Sequence, residues 1–230
     1  MLKIEKTQVV GWEHAIRGMR NPMESWDKSD SNLELGCYCA CEGMDCDGCD
    51  LIQDCECLGY DDRELMGKLD KAGSDHRKYM RMIAVYMDIT GPLYWWKEFD
   101  TYKVGTVANS CSTMHKLASR PITIDEFSFD DVNIPNDYAV ASTTEMFMRI
   151  VTACENLRRE YIRTKDKRYW RALIQMLPES YMQKRTIMLN YEVLRNMYHA
   201  RKNHKLTEWS VDFCKWVESL PYSWLITMED

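Results

Sequence analysis

Residues 177–216 read LPESYMQKRTIMLNYEVLRNMYHARKNHKLTEWSVDFCKW, and the fold turns on how this stretch is read. Leu177-Pro178 puts a proline where a helix would begin, a position that needs no backbone donor and benefits from a preset φ. The pattern predicts one long helix over 178–202, carrying Asn190, Asn196 and Arg201, and a second over 206–219. Asn is a poor helix former, so two inside one helix call for a reason in solvent exposure, capping or function. Arg201 sits in HARKNHK, which also reads as a basic C-terminus that complements the helix dipole.

Working upstream, Tyr138–Ile162 repeats Met146, Ile150, Cys154, Leu157 and Tyr161 at three-to-four spacing, a core helix, and Lys167–Met176 predicts a shorter one. Residues 2–10 alternate as a first strand, 79–90 (YMRMIAVYMDIT) have strand composition, and Ile122–Phe129 suggests a short strand. After Gly91-Pro92, LYWWKEFDTYK reads as helix, and its Tyr94, Trp95, Trp96 and Phe99 are expected in the core. Asp61 or Asp62 is expected to cap a helix over Arg63–Ala72, with Leu65, Met66 and Leu69 facing inward and Gly73 ending it. Residues 11–34 are polar and turn-rich. The chain is therefore expected to be α+β and helix-rich, one domain over 1–230 with a Cys-rich acidic insertion at 37–57.

Charge is unevenly spread. Ser29–Asp62 holds ten acidic residues and no Lys or Arg, whereas Arg149–Lys205 holds 14 basic and five acidic. The basic surplus suits a phosphate-bearing partner or a solvated helix face, and the acidic half argues against nucleic acid. No apolar run is long enough to span a membrane. Ten cysteines without a secretory signal point to a reducing, cytoplasmic setting. Cys37, Cys39, Cys41, Cys46, Cys49, Cys55 and Cys57 crowd seven thiols into one segment, a candidate zinc or iron–sulfur site or a metal-free loop. Only Cys46–Cys49 has the usual zinc-knuckle spacing. Cys111 is a candidate nucleophile if the fold sets His115 or His76 beside it, and otherwise a buried free thiol.

The order Leu177-Pro178, then Asn190, Asn196 and Arg201 at intervals of thirteen, six and five residues, resembles the flavin-dependent thymidylate synthases (ThyX-like). His76 stands before the 79–90 strand where that family has an early His. Thr101-Tyr102-Lys103 stands where the family has R-H-R, Thr106 where it has Ser, Asn109 where it has Glu and Thr113 where it has an Arg. Ile174 replaces a second Arg, and Arg171, one helical turn away, is the candidate substitute.

The resemblance implies a mostly antiparallel sheet and a homotetramer that reductively methylates deoxyuridylate (dUMP). It implies FAD as cofactor, methylenetetrahydrofolate as carbon donor and a nicotinamide cofactor as reductant. It further implies flavin contacts for His76, Lys103, Asn190, Asn196 and Arg201, and nucleotide contacts for Thr106, Arg171 and Arg201. Because Lys does not reproduce the bidentate grip of Arg, the departures weaken the implied phosphate site. A nucleotide-binding homologue without the catalysis, or a metal-binding interaction protein built on the Cys cluster, are the competing expectations.

Overall fold

In a computed structural model, residues 1–31, 58–134 and 142–229 are described. The seven-cysteine segment lies outside them, as do residues 138–141 of the predicted core helix. Four strands, β1 (Lys3–Val10), β2 (Ala84–Pro92), β3 (Val107–Ser110) and β4 (Met182–Asn190), form one antiparallel sheet in the order β1-β2-β4-β3. The helices are α1 (Trp12–Arg20), α2 (Tyr60–Lys71), α3 (Leu93–Phe99), α4 (Thr113–Lys116), α5 (Thr143–Thr164) and α6 (Lys167–Met176). After β4 follow α7 (Tyr191–Arg201), α8 (Cys214–Glu218) and α9 (Trp224–Thr227). The fold is helix-rich α+β, as expected.

The chain divides into two compact units. The first comprises Met1–Lys3, Asp88–Thr101 and Ala108–Thr186; the second comprises Ile4–Met87, Tyr102–Val107 and Ile187–Asp230. In the first, α5 and α6 close over a core of Leu117, Phe127, Val151, Cys154, Leu173 and Tyr181. Trp95, Trp96 and Phe99 are buried there too, with the two indoles edge-on at 4.7 Å, so the aromatic run is core as predicted. Ser142 and Asp166 cap α5 and α6 with their side chains, each satisfying a backbone donor that the helix itself leaves open. Met146, assigned to the inner stripe of α5, is instead half exposed, because the buried face starts at Val151.

The predicted helix over 178–202 is corrected. Met182–Asn190 is strand β4, and the helix starts only at Tyr191. Burial of Gln183, Ile187 and Leu189 follows the period of two that a strand requires. Asn190 is therefore a cap and not a mid-helix residue: its Oδ1 accepts from Val193 N–H at 3.0 Å.

Other boundaries move for local reasons. Lys78–Met82 is a 3-10 turn before β2, and the 122–129 stretch forms a 3-10 turn plus a single bridge from Phe127 to Tyr181. The helix after Pro92 stops at Phe99. The 206–219 helix opens with a π-helical turn, Glu208–Phe213. Helix α1, read from sequence as turn-rich, buries Trp12, Ala15, Ile16 and Met19 along one face. Gly11 before it has φ 99°, and a Cβ there would lie 2.1 Å from the Met82 carbonyl oxygen, so only glycine fits. Gly73, also at φ 99°, ends α2 as expected. The cap of α2 comes from elsewhere: Asp30 accepts from Asp61 and Asp62 N–H. Asp62 instead turns inward to Arg20 (2.6 Å) and to the hydroxyls of Ser29 and Ser31. Burial alone would raise its carboxyl, but the bonds from Ser31, Ser29 and Arg20 outweigh that and hold it below the usual range.

The second unit is built around a buried ion network. Asp70 lies 3.7 Å from Arg77 and 3.3 Å from Arg195, and Arg77 lies 3.4 Å from Glu192. Arg195 also donates to the Leu225 carbonyl at 3.0 Å, joining α7 to α9. All four ionic side chains are buried and their charges sum to zero, which makes burial tolerable. Replacing Asp70 with Asn leaves an excess positive charge beside Arg77 and Arg195. A loss of about 3 kcal/mol is expected in urea unfolding of D70N, with an unchanged m-value. An unfolding free energy within experimental error of wild type would show the network to be dispensable.

Candidate functional site

In the first unit, the end of β3, helix α4 and strand β4 enclose a cavity of about 410 Å³. That is within the range of small-molecule sites. Its cationic wall is Lys116, Arg120 and Lys184, its hydroxyls include Ser112 and Thr113, and its floor contains Leu117 and Tyr181. No Asp or Glu is among the described residues that line it.

The loop at Cys111 is held on both sides. Cys111 N–H donates to the Lys184 carbonyl and Gln183 Nε2 donates to the Cys111 carbonyl, each at 2.9 Å. Arg185 Nε donates to Gln183 Oε1 at 3.0 Å, and its guanidinium lies 4.2 Å above the Trp96 ring and 2.7 Å from Asp100. Trp96 Nε1 in turn donates to the Gln183 carbonyl. A buried indole, a stacked guanidinium and a buried amide thus fix where the loop backbone stands.

The opposite wall is tied to α5. Glu155 receives Ile122 N–H at 2.9 Å, both arms of Arg158 at 2.7 Å and Arg159 at 2.8 Å. Arg158 reaches on to the Ala118 carbonyl. The hydrogen bond from Arg158 is the largest influence holding the Glu155 carboxyl down at about 2. Arg120 pairs with Glu126 at 2.8 Å. Burial pushes the Glu126 carboxyl up against the pull of that guanidinium. A hydrogen bond with Tyr181, more than the pairing with Glu126, keeps Arg120 firmly charged. Lys184 lies 3.0 Å from Asp88, while Lys116 has no carboxylate partner among the described residues.

A separate cluster occupies the second unit. Arg201 Nε donates to the Tyr102 hydroxyl at 2.8 Å, and its guanidinium stands 4.9 Å above the Trp209 ring. Cation–π contact and this hydrogen bond orient a half-buried cation. Gly105 has φ 74°; a Cβ there would come within 2.9 Å of Val193 and 3.2 Å of Asn190 Nδ2. Thr106 Oγ1 is buried without a hydrogen-bond partner among the described residues.

Of the predicted contacts, Asn190, Thr106 and Arg201 thus fall on α7 and the 102–107 segment that includes Gly105. Lys103 and Asn196 are exposed in the same unit, as is His76, on the turn after Gly73. Arg171 is exposed on α6 in the first unit. Thr113, standing for a family Arg, lines the cavity.

Cys37, Cys39, Cys41, Cys46, Cys49, Cys55 and Cys57 lie outside the described residues, among which no group of three or more His, Cys, Asp or Glu is placed to hold a metal. Burial pushes the Cys154 thiol up and that of Cys214 up to about 11, making both inert; Cys111 is exposed at the cavity. Sequence reading missed Lys116, Arg120, Gln183 and Lys184. Gln183 was legible only through the strand alternation of 183, 187 and 189.

No protein-family model matches the sequence, and no curated protein is significantly similar to it. Solved structures are similar in fold. The chain superposes on the flavin-dependent thymidylate synthase ThyX of Helicobacter pylori complexed with FAD and dUMP, with TM-score 0.66 and 16% identity. The match covers 98% of this chain and 98% of that one. A second structure of the Helicobacter pylori enzyme with FAD and dUMP gives TM-score 0.67 at 17% identity, covering 99% and 97%. The UMP/dUMP methylase PolB of Streptomyces cacaoi, bound with 5-Br dUMP, gives TM-score 0.56 at 14% identity, covering 95% and 91%. The fold is that of the flavin-dependent thymidylate synthases.

The Glu155 tie has a pH signature. Its carboxyl is held at about 2 in the folded chain against 4.5 when unfolded, so the unfolded state takes up the proton first. The tie contributes its full stability above the unfolded value and loses it as pH falls from there toward 2. Melting temperature should therefore drop more steeply between about pH 5 and about pH 2 in wild type than in E155Q. Parallel curves would remove Glu155 from the account.

Proposed function

We propose that this chain is a flavin-dependent enzyme of the thymidylate synthase type, methylating a pyrimidine deoxynucleotide such as dUMP. The observation that carries the reading is the fold correspondence over 98% of both chains with a ThyX whose structure holds FAD and dUMP. Fold alone does not define a reaction, so the residues must also suit the ligands.

They suit a flavin at the α7 cluster. Asn190 spends its oxygen on the helix cap, leaving the amide nitrogen to donate, and Thr106 offers the nucleotide a buried hydroxyl with no hydrogen-bond partner among the described residues. Arg201 offers a cation held over aromatic faces. In this reading His76, Lys103, Asn190, Asn196 and Arg201 hold the flavin, while Thr106, Arg171 and Arg201 approach the nucleotide. Flavin, when bound, supplies the hydride that reduces a folate-borne methylene to a methyl group, with a nicotinamide cofactor as the source of electrons. The chain's own contribution is to position the pyrimidine and to supply positive charge beside it. A homotetramer acting in the cytoplasm belongs to the same proposal.

One observation favours a second reading, a nucleotide-binding homologue that no longer catalyses. The R-H-R of the family is Thr101-Tyr102-Lys103 here, and the Tyr102 hydroxyl already accepts the hydrogen bond that Arg201 Nε donates. That bond must be shared or broken for Arg201 to turn that nitrogen to a ligand.

FAD retention tests the first reading, and formation of thymidylate from dUMP by the flavin-loaded protein separates it from the second. The purified protein is expected to carry the visible absorption of oxidised flavin, or to gain it and a higher melting temperature on adding FAD. Asn190→Asp keeps the cap oxygen but removes the donor, so N190D should fold normally and bind FAD more weakly. Asn190→Ala should in addition lose about 1 kcal/mol of stability with the cap. Absence of both spectrum and thermal shift in wild type would leave the enzyme reading without a basis.

A further inference from the structure

We infer that the cavity lined by α1 and the 26–31 stretch binds a free α-amino acid with an aromatic side chain. Its volume is about 450 Å³, within the range of small-molecule sites. It lies in the second unit and shares no residue with the α7 cluster or with the cavity beside α4. From α1 come Glu13, Ile16, Arg17 and Arg20, whose spacing places them on one stripe of the helix. Gly18 lies off that stripe, where a Cβ would come within 3.0 Å of Met82 Sδ.

Two guanidinium groups on the stripe receive the carboxylate. Arg20 is only 4% exposed; its Nε donates to Asp62 Oδ1 at 2.6 Å and its Nη1 to the Ser25 carbonyl at 3.2 Å. Its Nη2 has no hydrogen-bond partner among the described residues, so a buried cation that lines the cavity keeps one donor group open. Arg17, one turn away, is exposed and has no hydrogen-bond or ion-pair partner among the described residues. The two oxygens of a carboxylate can accept from both, with the strength of charge-assisted bonds.

Charge balance selects a zwitterion. Asp62 matches Arg20, and its other oxygen is held in place by the hydroxyls of Ser29 and Ser31 at 2.7 and 2.6 Å. Glu13 stands one turn from Arg17 without pairing to it or to any other described residue. The described lining thus holds one open positive and one open negative group. A dianion such as a phosphate monoester would bring a charge that Arg17 alone does not match and that Glu13 repels. An α-amino acid puts its carboxylate at Arg17 and Arg20 and its ammonium at Glu13, with no charge left over.

The side chain of the ligand has its own platform. Trp26 is 51% exposed, and its Nε1 donates to Asn21 Oδ1 at 2.8 Å, which fixes the indole edge while much of the ring stays open. Ile16 adds an aliphatic wall. A ring packed against an indole gains contact energy beyond the area it buries. The 3-10 turn Trp26–Lys28 is itself tied down: Ser25 N–H donates to the Arg20 carbonyl at 3.3 Å and Lys28 N–H to the Ser25 carbonyl at 3.2 Å. A platform already ordered before binding loses little when its ligand arrives.

The test titrates the full chain with L-phenylalanine, 3-phenylpropionate, 2-phenylethylamine and L-alanine, followed by calorimetry and by melting temperature. These probes in turn keep everything, lose the ammonium, lose the carboxylate and lose the ring. L-Phenylalanine should bind wild type, and each of the others about tenfold or more weakly. Arg17→Met should weaken L-phenylalanine by a similar factor. Glu13→Gln should narrow its advantage over 3-phenylpropionate, and Trp26→Ala its advantage over L-alanine. All three substitutions fall on exposed side chains, so native melting is expected, and if one variant misfolds the other two carry the test. The inference is overturned if L-phenylalanine does not bind wild type, or if 3-phenylpropionate or 2-phenylethylamine binds as tightly. It is equally overturned if the folded variants bind the probes as wild type does.

Discussion

The junction at Asn190 is the constraint on which the rest of the second unit depends. Within one residue the chain changes from strand to helix: β4 ends at Asn190, whose side chain caps the helix that starts at Tyr191. Tyr191 N–H then donates to the Ile83 carbonyl at 3.1 Å, fixing the start of α7 beside the residue that precedes β2. From that start the helix has only one rotation that buries Tyr191, Leu194 and Met197 together, and it sends Glu192 and Arg195 into the ion network. The same rotation places Arg201 against Tyr102 and Trp209. A slip of one residue at the junction would turn Arg195 out of the core and leave Asp70 with one cation fewer.

The sequence made some of this legible and hid the rest for identifiable reasons. Helices α5 and α6 announced themselves through apolar spacing sustained for several turns, and α2 through its Gly73 stop. The aromatic run after Pro92 reads correctly as core because such density of Trp and Phe has few other places to go. Met182–Asn190 was misread because Ile187, Met188 and Leu189 are consecutive apolar residues, which blur a period of two, and because Pro178 mimics a helix start. Asn190 held the correction: an Asn is far better placed at a cap than within a helix.

The fold was legible where the candidate site was not. The order Asn190, Asn196 and Arg201 pointed to the right fold, whereas the basic stretch 149–205 contains only one of the three cations that line the cavity, Lys184. Which cations line the cavity was not accessible, because Lys116, Arg120 and Lys184 are separated in sequence and meet through β-pairing and through the Glu155 tie. Their surroundings decide their roles: Arg158 and Arg159 belong to the same basic region but are bound by Glu155 and serve the scaffold. Counting charges along a chain cannot separate the two kinds of arginine, since the difference lies in what each one touches.

Helix α7 also governs how this protein can drift. Its inward residues, Glu192, Leu194, Arg195 and Met197, answer to the core, while Asn196 is exposed and Arg201 half-buried. Substitution at the outward positions leaves the packing and the ion network intact, so selection on ligand chemistry can act there with little penalty in folding. Asn190 is the exception, because one side chain serves both the cap and the edge of the cluster. Such a division of labour lets an architecture persist at 16% identity while its pockets are rewritten. It also predicts where lineages diverge in specificity first: on the outer face of a helix whose inner face cannot change.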